Sequence, residues 1–136
     1  MKKNLKINFK DKRGFILDIF ANRPKDHCTL VSFNKKAVRG NHYHKKSTQY
    51  SFVVSGKLML FHCRVNKDGK LLGKPKKTIL SKYSLVKHKP FHAHAFKAIE
   101  KSIMLAFADG VRGGRNYEKD TFRLKKKLIW NLLIKI

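Results

Sequence analysis

The 136-residue sequence predicts an all-β domain, an antiparallel barrel or sandwich that ends in a short C-terminal helix. Three observations carry that expectation. Much of the chain divides into short apolar or alternating runs, each bounded by Gly, Pro, Asn, Asp or Ser turn residues. No helical periodicity competes with these runs before residue 122. The length suits one domain able to bury about two-thirds of its unfolded surface, and 42% hydrophobic residues is ordinary for a globular chain.

Taken in order, residues 5–9 alternate apolar and polar with period two and read as a strand. Asp11-Lys12-Arg13-Gly14 is a turn, and 14–20 reads as a second strand. Pro24 and its polar neighbours make 21–27 a loop. Residues 28–33 are a third strand, closed by a turn at 34–36. Tyr50-Ser51-Phe52-Val53-Val54 is rich in β-formers and stops at Ser55-Gly56; 57–65 leads away from it, and Asp68-Gly69 closes a hairpin. Residues 78–80 and 84–86 flank a Lys82-Tyr83 turn. The last strands are 94–99 and 102–108, followed by an exposed loop rich in Gly and Arg. The barrel core is expected over about 5–124 of a single domain spanning 1–136.

The tail reads differently. Leu124, Leu128, Ile129, Leu132, Leu133 and Ile136 share one helical face, so 122–136 is expected to be an amphipathic helix packed on the barrel or on a partner subunit. Its lysines leave open a helix lying on an anionic membrane surface, or a disordered or strand-like end.

The candidate site lies in Arg39-Gly40-Asn41-His42-Tyr43-His44-Lys45-Lys46-Ser47-Thr48-Gln49. His42 and His44 are two residues apart, so on a strand both imidazoles leave the same face. Gln49 follows after four residues, enough for a bend before the next strand. A second block, Pro90-Phe91-His92-Ala93-His94-Ala95-Phe96, has two more histidines two residues apart; with His94 inward on a strand, His92 shares its face and lines the mouth. Ionisable rings aimed into a barrel are costly without a task, which favours a site over plain core residues. His27, His62 and His88 have no supporting pattern and read as incidental.

The spacing His-x-His-x4-Gln-x6-Gly over His42, His44, Gln49 and Gly56 resembles the first motif of the cupin family, with Gln49 where many members carry Glu. The block around His94 resembles the second motif, which implies that His94 is the likelier inward histidine. More narrowly, Arg39-Gly40-x-His42-x-His44-Lys45 with Val54-Ser55-Gly56 resembles the sugar-nucleotide 3,4-ketoisomerases of WxcM-like or FdtA type. The Asp-x-Arg-Gly hairpin at Asp11 supports the same likeness. Arg39 to His44 and Val53 to Lys57 are also similar to the C-terminal cupin domain of the capsular polysaccharide enzyme CapF. The likeness spans roughly residues 10–124 and implies a jelly-roll barrel. It departs from the ketoisomerases at Tyr43, where a small residue is usual, and in the stretch from Gly113 to Thr121.

Two chemistries follow from that resemblance. In the first, no cofactor is required: His42 and His44 act as general base and acid, shifting a ketone between carbons 3 and 4 of a nucleotide-linked 4-keto-6-deoxy sugar. Arg39, Lys45, Gln49 and His92 are then the substrate-binding candidates, with Arg39 and Lys45 holding the enediolate or the substrate's charge. An amide at position 49 favours this reading, because it is a poorer metal ligand than a carboxylate. In the second, His42, His44 and His94, with Gln49, hold a divalent zinc, iron or nickel that polarises the ketone. A non-catalytic carbohydrate-binding barrel is the rival outside enzymology.

Charge and compartment set the remaining expectations. The formal net charge of +25 invites a nucleic-acid partner, but the lysines are spread along the chain without a basic arm or recognition helix. The expectation is no nucleic acid, and a surface that attracts anions such as a dTDP- or UDP-linked sugar. Two cysteines without a CxxC pattern, no long apolar run and no apolar signal core at the N-terminus predict a cytoplasmic protein with free thiols. A barrel of this size leaves an edge strand and an apolar outer face, so a homodimer is expected.

Overall fold

The computed structural model describes residues 2–110 and 119–128. Its strands are β1 (Lys2–Asn4), β2 (Phe9–Asp11), β3 (Gly14–Ile16), β4 (His27–Phe33), β5 (Val38–Tyr43), β6 (Thr48–Ser55), β7 (Leu58–Arg64), β8 (Lys76–Leu80), β9 (Ser84–His88), β10 (His92–Ala98), β11 (Ser102–Asp109) and β12 (Phe122–Arg123). Two five-stranded antiparallel sheets, ordered β1-β9-β6-β11-β4 and β12-β5-β10-β7-β8, face each other, and β2 and β3 form a separate hairpin. This is the all-β jelly-roll arrangement that the strand pattern and motif imply. Among the described residues, no helix is long and apolar enough to cross a membrane.

Three expectations need correction. The strand expected over 5–9 is not formed: residues 5–8 connect β1 to β2, because Leu5 bonds the Tyr83 carbonyl and the chain then leaves the sheet. The second strand stops at Ile16 rather than Phe20. The expected C-terminal helix is absent from 122–128: Phe122 and Arg123 pair instead with Tyr43 and His42, adding an edge strand to β5. Backbone pairing at an open sheet edge satisfies those amides without a helix, and tertiary context overrides local periodicity. Residues 129–136 lie outside the described residues, as do 111–118.

The space between the sheets is divided lengthwise. At one end Phe33, Val53, Leu58, Leu60, Leu80, Val86, Phe96, Ala98 and Met104 form a closed apolar cluster. Burying each of the larger ones contributes roughly 1.5–3 kcal/mol. At the other end the same inward-facing rows turn polar. Alternation carries β10 from Phe96 to His94, β6 from Val53 to Ser51 and Gln49, and β9 from Val86 to His88. A second cluster, with Tyr43, Cys63, Val65, Ala93, Ala95 and Leu128, packs on the outer side of β5, β7 and β10. Tyr43 therefore points away from its flanking histidines, stacked between Phe91 and Phe122 with ring centroids at 6.1 and 5.6 Å.

A bulge places the motif. β5 and β10 pair His42 with His94 but Gly40 with Ala95, leaving Asn41 as the extra residue. Gly40 and Asn41 both adopt positive φ, +95° and +71°. A Cβ on Gly40 would lie 2.9 Å from the His94 carbonyl oxygen, so only glycine lets the two strands meet there. The shift brings Arg39 and His42, three residues apart, onto the same cavity.

Candidate active site

The three motif histidines meet. Ring centroids lie 5.1 Å apart for His42 and His44, 4.9 Å for His42 and His94, and 5.3 Å for His44 and His94. One ring nitrogen of each lies within 4.8 Å of the others. His44 and His94 are buried, while His42 is partly exposed toward a cavity of about 490 Å³ that Gln49 and His94 also line. Arg39 and Arg123 border the same cavity, and among the described residues no carboxylate lines it. The cavity is thus suited to an anionic ligand, which two guanidiniums could hold in bidentate fashion.

Asp120 organises His44. Its main-chain oxygen lies 2.8 Å from His44 Nδ1, and since a carbonyl only accepts, that nitrogen carries the hydrogen. The Asp120 carboxylate takes hydrogen bonds from the amides of Lys45 at 2.9 Å, Lys46 at 3.0 Å and Ser47 at 2.7 Å. Burial alone would raise its pKa, but these amide donors outweigh it and hold the group below its ordinary range. Three successive N–H groups around one carboxylate form an anion nest. It fixes the turn between β5 and β6, and with it the approach of His44 to Gln49.

His94 Nδ1 donates to the His92 carbonyl at 3.2 Å, while its buried Nε2 has no hydrogen-bond partner. His44 Nε2 lies 3.3 Å from Gln49 Oε1, and Gln49 Nε2 donates to Ser51 Oγ at 3.1 Å. Ser51 Oγ in turn lies 2.9 Å from His88 Nε2, and the His88 ring centroid is 4.3 Å from that of His94. Burial, reinforced by neighbouring positive charge, pushes the pKa values of His88 and His94 well below the ordinary 6.5.

Those two shifts predict how stability responds to acid. Both groups bind protons more weakly folded than unfolded, so between the folded value and 6.5 the unfolded chain carries more protons. Stability is then complete above pH 6.5 and falls as the medium becomes more acidic. Each histidine contributes a slope of up to about 1.4 kcal/mol per pH unit. Thermal melts of chelated protein, stepped downward from neutral pH, should show a falling midpoint; a flat profile would exclude the assignment.

The structure separates the remaining sequence candidates. Lys45 does not line the cavity, and its Nζ lies 4.2 Å over the Phe122 ring. His92 lines a smaller depression with His62, Thr78 and Lys87, apart from the mouth it was expected to share. His88 and His27, read from the sequence as incidental, border the polar interior and the cavity respectively. His88 had a usable signal: it is two residues beyond inward Val86 on the same strand. Asp120 and Arg123 had none, because their placement depends on the terminal strand adding to β5.

No family model matches the sequence, and no curated protein does. Among solved structures, the chain resembles the dTDP-4-dehydrorhamnose 3,5-epimerase of Sulfolobus tokodaii at 29% identity and a TM-score of 0.65, covering 75% of this chain and 65% of that one. It resembles the sugar 3,4-ketoisomerase QdtA of Thermoanaerobacterium thermosaccharolyticum, solved with TDP, at 17% identity and a TM-score of 0.72, over 92% and 88% of the two chains. The capsular polysaccharide assembling protein CapF of Staphylococcus aureus matches at 18% identity and a TM-score of 0.63, over 90% of this chain and 33% of that one. The chain thus spans somewhat under two-thirds of the epimerase's length and a third of CapF's. With its two facing antiparallel sheets and converging motif histidines, this protein has the cupin-type fold that the three share.

Proposed function

We propose that the protein is a sugar-nucleotide isomerase that moves the ketone of a nucleotide-linked 4-keto-6-deoxyhexose from carbon 4 to carbon 3, in surface polysaccharide assembly. The observation that carries this reading is the convergence of His42, His44 and His94 on a cavity bordered by Arg39 and Arg123. The ketone at carbon 4 acidifies the hydrogen at carbon 3. One of the paired imidazoles, His42 or His44, removes it, breaking the C3–H bond and forming an enediolate. An imidazolium returns a proton to carbon 4 as the oxygen-bound hydrogen passes from O3 to O4. Arg39 and Arg123 supply positive charge for the diphosphate. The solved relatives support the substrate class, since one is a 3,4-ketoisomerase in complex with TDP and another a dTDP-sugar epimerase. Exposed Phe9, Phe15, Ile16 and Leu30 leave apolar surface that supports a homodimer.

A second reading is favoured by one observation. The unpartnered, buried His94 Nε2 shares a space with nitrogens of His42 and His44, and His44 and His94 each have Nδ1 directed to a carbonyl. That is the usual support for metal-ligating imidazoles, so the residues fit a divalent zinc, iron or nickel. A bound ion would supply Lewis-acid polarisation of the ketone, with Gln49 beside it.

Incubation with dTDP- and UDP-linked 4-keto-6-deoxyglucose in deuterated water tests the main reading. Migration of the ketone with deuterium appearing at carbon 4 supports it. Label confined to carbon 5 or to carbon 3 without migration indicates epimerisation, and no label from either nucleotide removes the enzymatic reading. Elemental analysis of the same preparation, with loss of turnover on chelation, decides for the metal. The Arg123→Ala variant should raise KM about tenfold with kcat little changed, as expected for a binding contact made equally in ground and transition states.

A further inference from the structure

A fourth histidine stands behind the three that meet at the cavity. His88 is directly opposite Gln49 in the β6–β9 pairing, and Ser51 is two residues along from Gln49 on the same face. Gln49, Ser51 and His88 are 5%, 0% and 3% exposed. A polar trio this deep occupies ground where apolar side chains would pack without a hydrogen-bonding requirement. Its contacts run in one direction toward the site: His88 Nε2 to Ser51 Oγ at 2.9 Å, Ser51 Oγ to Gln49 Nε2 at 3.1 Å, and Gln49 Oε1 to His44 Nε2 at 3.3 Å.

We infer that Ser51 and His88 are positioning residues that orient the Gln49 amide and, through it, the ring of His44. A serine hydroxyl has one hydrogen. With the His88 hydrogen on Nδ1, Nε2 accepts from the Ser51 hydroxyl, whose oxygen is left to accept from the NH2 end of Gln49 while the carbonyl end faces His44. In its imidazolium form His44 is then gripped at both nitrogens, donating from Nδ1 to the Asp120 carbonyl and from Nε2 to Gln49 Oε1. Two grips fix the plane of an imidazole that one hydrogen bond would leave free to rotate. His88 also backs His94 by ring contact, so one residue outside the cavity supports two buried members of the site. Without Ser51, the amide's NH2 end loses this acceptor, and the carbonyl end is left to the 3.3 Å contact with His44.

The consequence for turnover rests on the isomerase reading, while the geometric consequence does not, and the test separates them. In the full chain labelled with 15N, the Gln49 side-chain amide and the His44 ring nitrogens are recorded without substrate at one fixed pH. Ser51→Ala and His88→Phe should both shift the Gln49 amide and His44 Nε2 signals, and Ser51→Thr, which retains the hydroxyl, should return them toward the wild-type positions. In parallel, Ser51→Ala should lower kcat about tenfold to a hundredfold with KM within roughly twofold, since misaligned catalytic groups act on the rate. Recovery of kcat in Ser51→Thr is expected. If His88→Phe fails to fold, the Ser51 pair still decides. Unchanged Gln49 and His44 signals in Ser51→Ala overturn the inference, as does a fall in melting temperature with kcat unchanged. If wild type turns over no sugar nucleotide, the isomerase reading falls and the ring signals alone judge the positioning role.

Discussion

The His42→Ala variant should lose turnover by a factor of about 10² to 10⁴, the range that removal of a positioned acid or base costs. His42 is the cleaner of the two motif histidines to remove. It is only partly buried and faces the cavity, so its loss opens space already in contact with solvent. His44 is 1% exposed and hydrogen-bonded to the Asp120 carbonyl. His44→Ala should lose as much activity, but also about 1–3 kcal/mol of stability from an unsatisfied buried acceptor. Comparing kcat, KM and melting temperature of the two variants therefore separates chemistry from support. Loss of kcat in His42→Ala with an unchanged melting temperature is the signature of a group acting on the reaction. A His42→Ala protein that turns over within about twofold of wild type would remove it from the acid–base pair.

The parts of this site that were legible in the sequence are those that a strand's period of two controls. His42 and His44 share a face by spacing, His94 follows from the second motif, and Gln49 falls on an inward position of the next strand. The β-rich runs around them gave the sheets, with edges off by a few residues where short polar strands such as Lys2–Asn4 have no apolar pattern to read. What stayed hidden depends on partners distant in the chain. Asn41 as a bulge follows from its register against His94 and Ala95, more than 50 residues away, and could not be read locally. The tail shows the same limit from the other side. Leu124 and Leu128 read as one stripe of a helix, yet both pack into the outer cluster just after the strand that Phe122 and Arg123 add to β5. Lysine content misled less than its size suggests, because among the described residues no carboxylate lines the cavity that two arginines border.

Asp120→Ala should be the most damaging substitution outside the histidines, and its effect should reach stability and turnover together. The carboxylate satisfies the amides of Lys45, Lys46 and Ser47, and Ser47 is 1% exposed, so water cannot fully replace what is lost. Hydrogen bonds to a charged group are worth about 1.5–3 kcal/mol each; allowing for partial rehydration and relaxation of the turn, a loss of about 3 kcal/mol is expected. For a domain of this size that lowers the melting temperature by roughly 10 °C. Asp120→Asn retains one acceptor oxygen and should fall between the two. The pH dependence has a definite sign. Because the folded-state pKa of Asp120 lies below the ordinary 3.8, its contribution is complete above that value and is lost as pH falls through the folded value. The acid unfolding limb of Asp120→Asn should therefore be shallower than that of wild type. Turnover is affected by a separate route: the Asp120 main-chain oxygen holds His44 Nδ1, and the side chain holds the residues that follow it. A loosened turn lets His44 swing from His42 and Gln49, which lowers kcat more than KM. An Asp120→Ala protein that melts within about 2 °C of wild type would show that the nest carries no load, since even one lost charge-assisted bond should move the midpoint further.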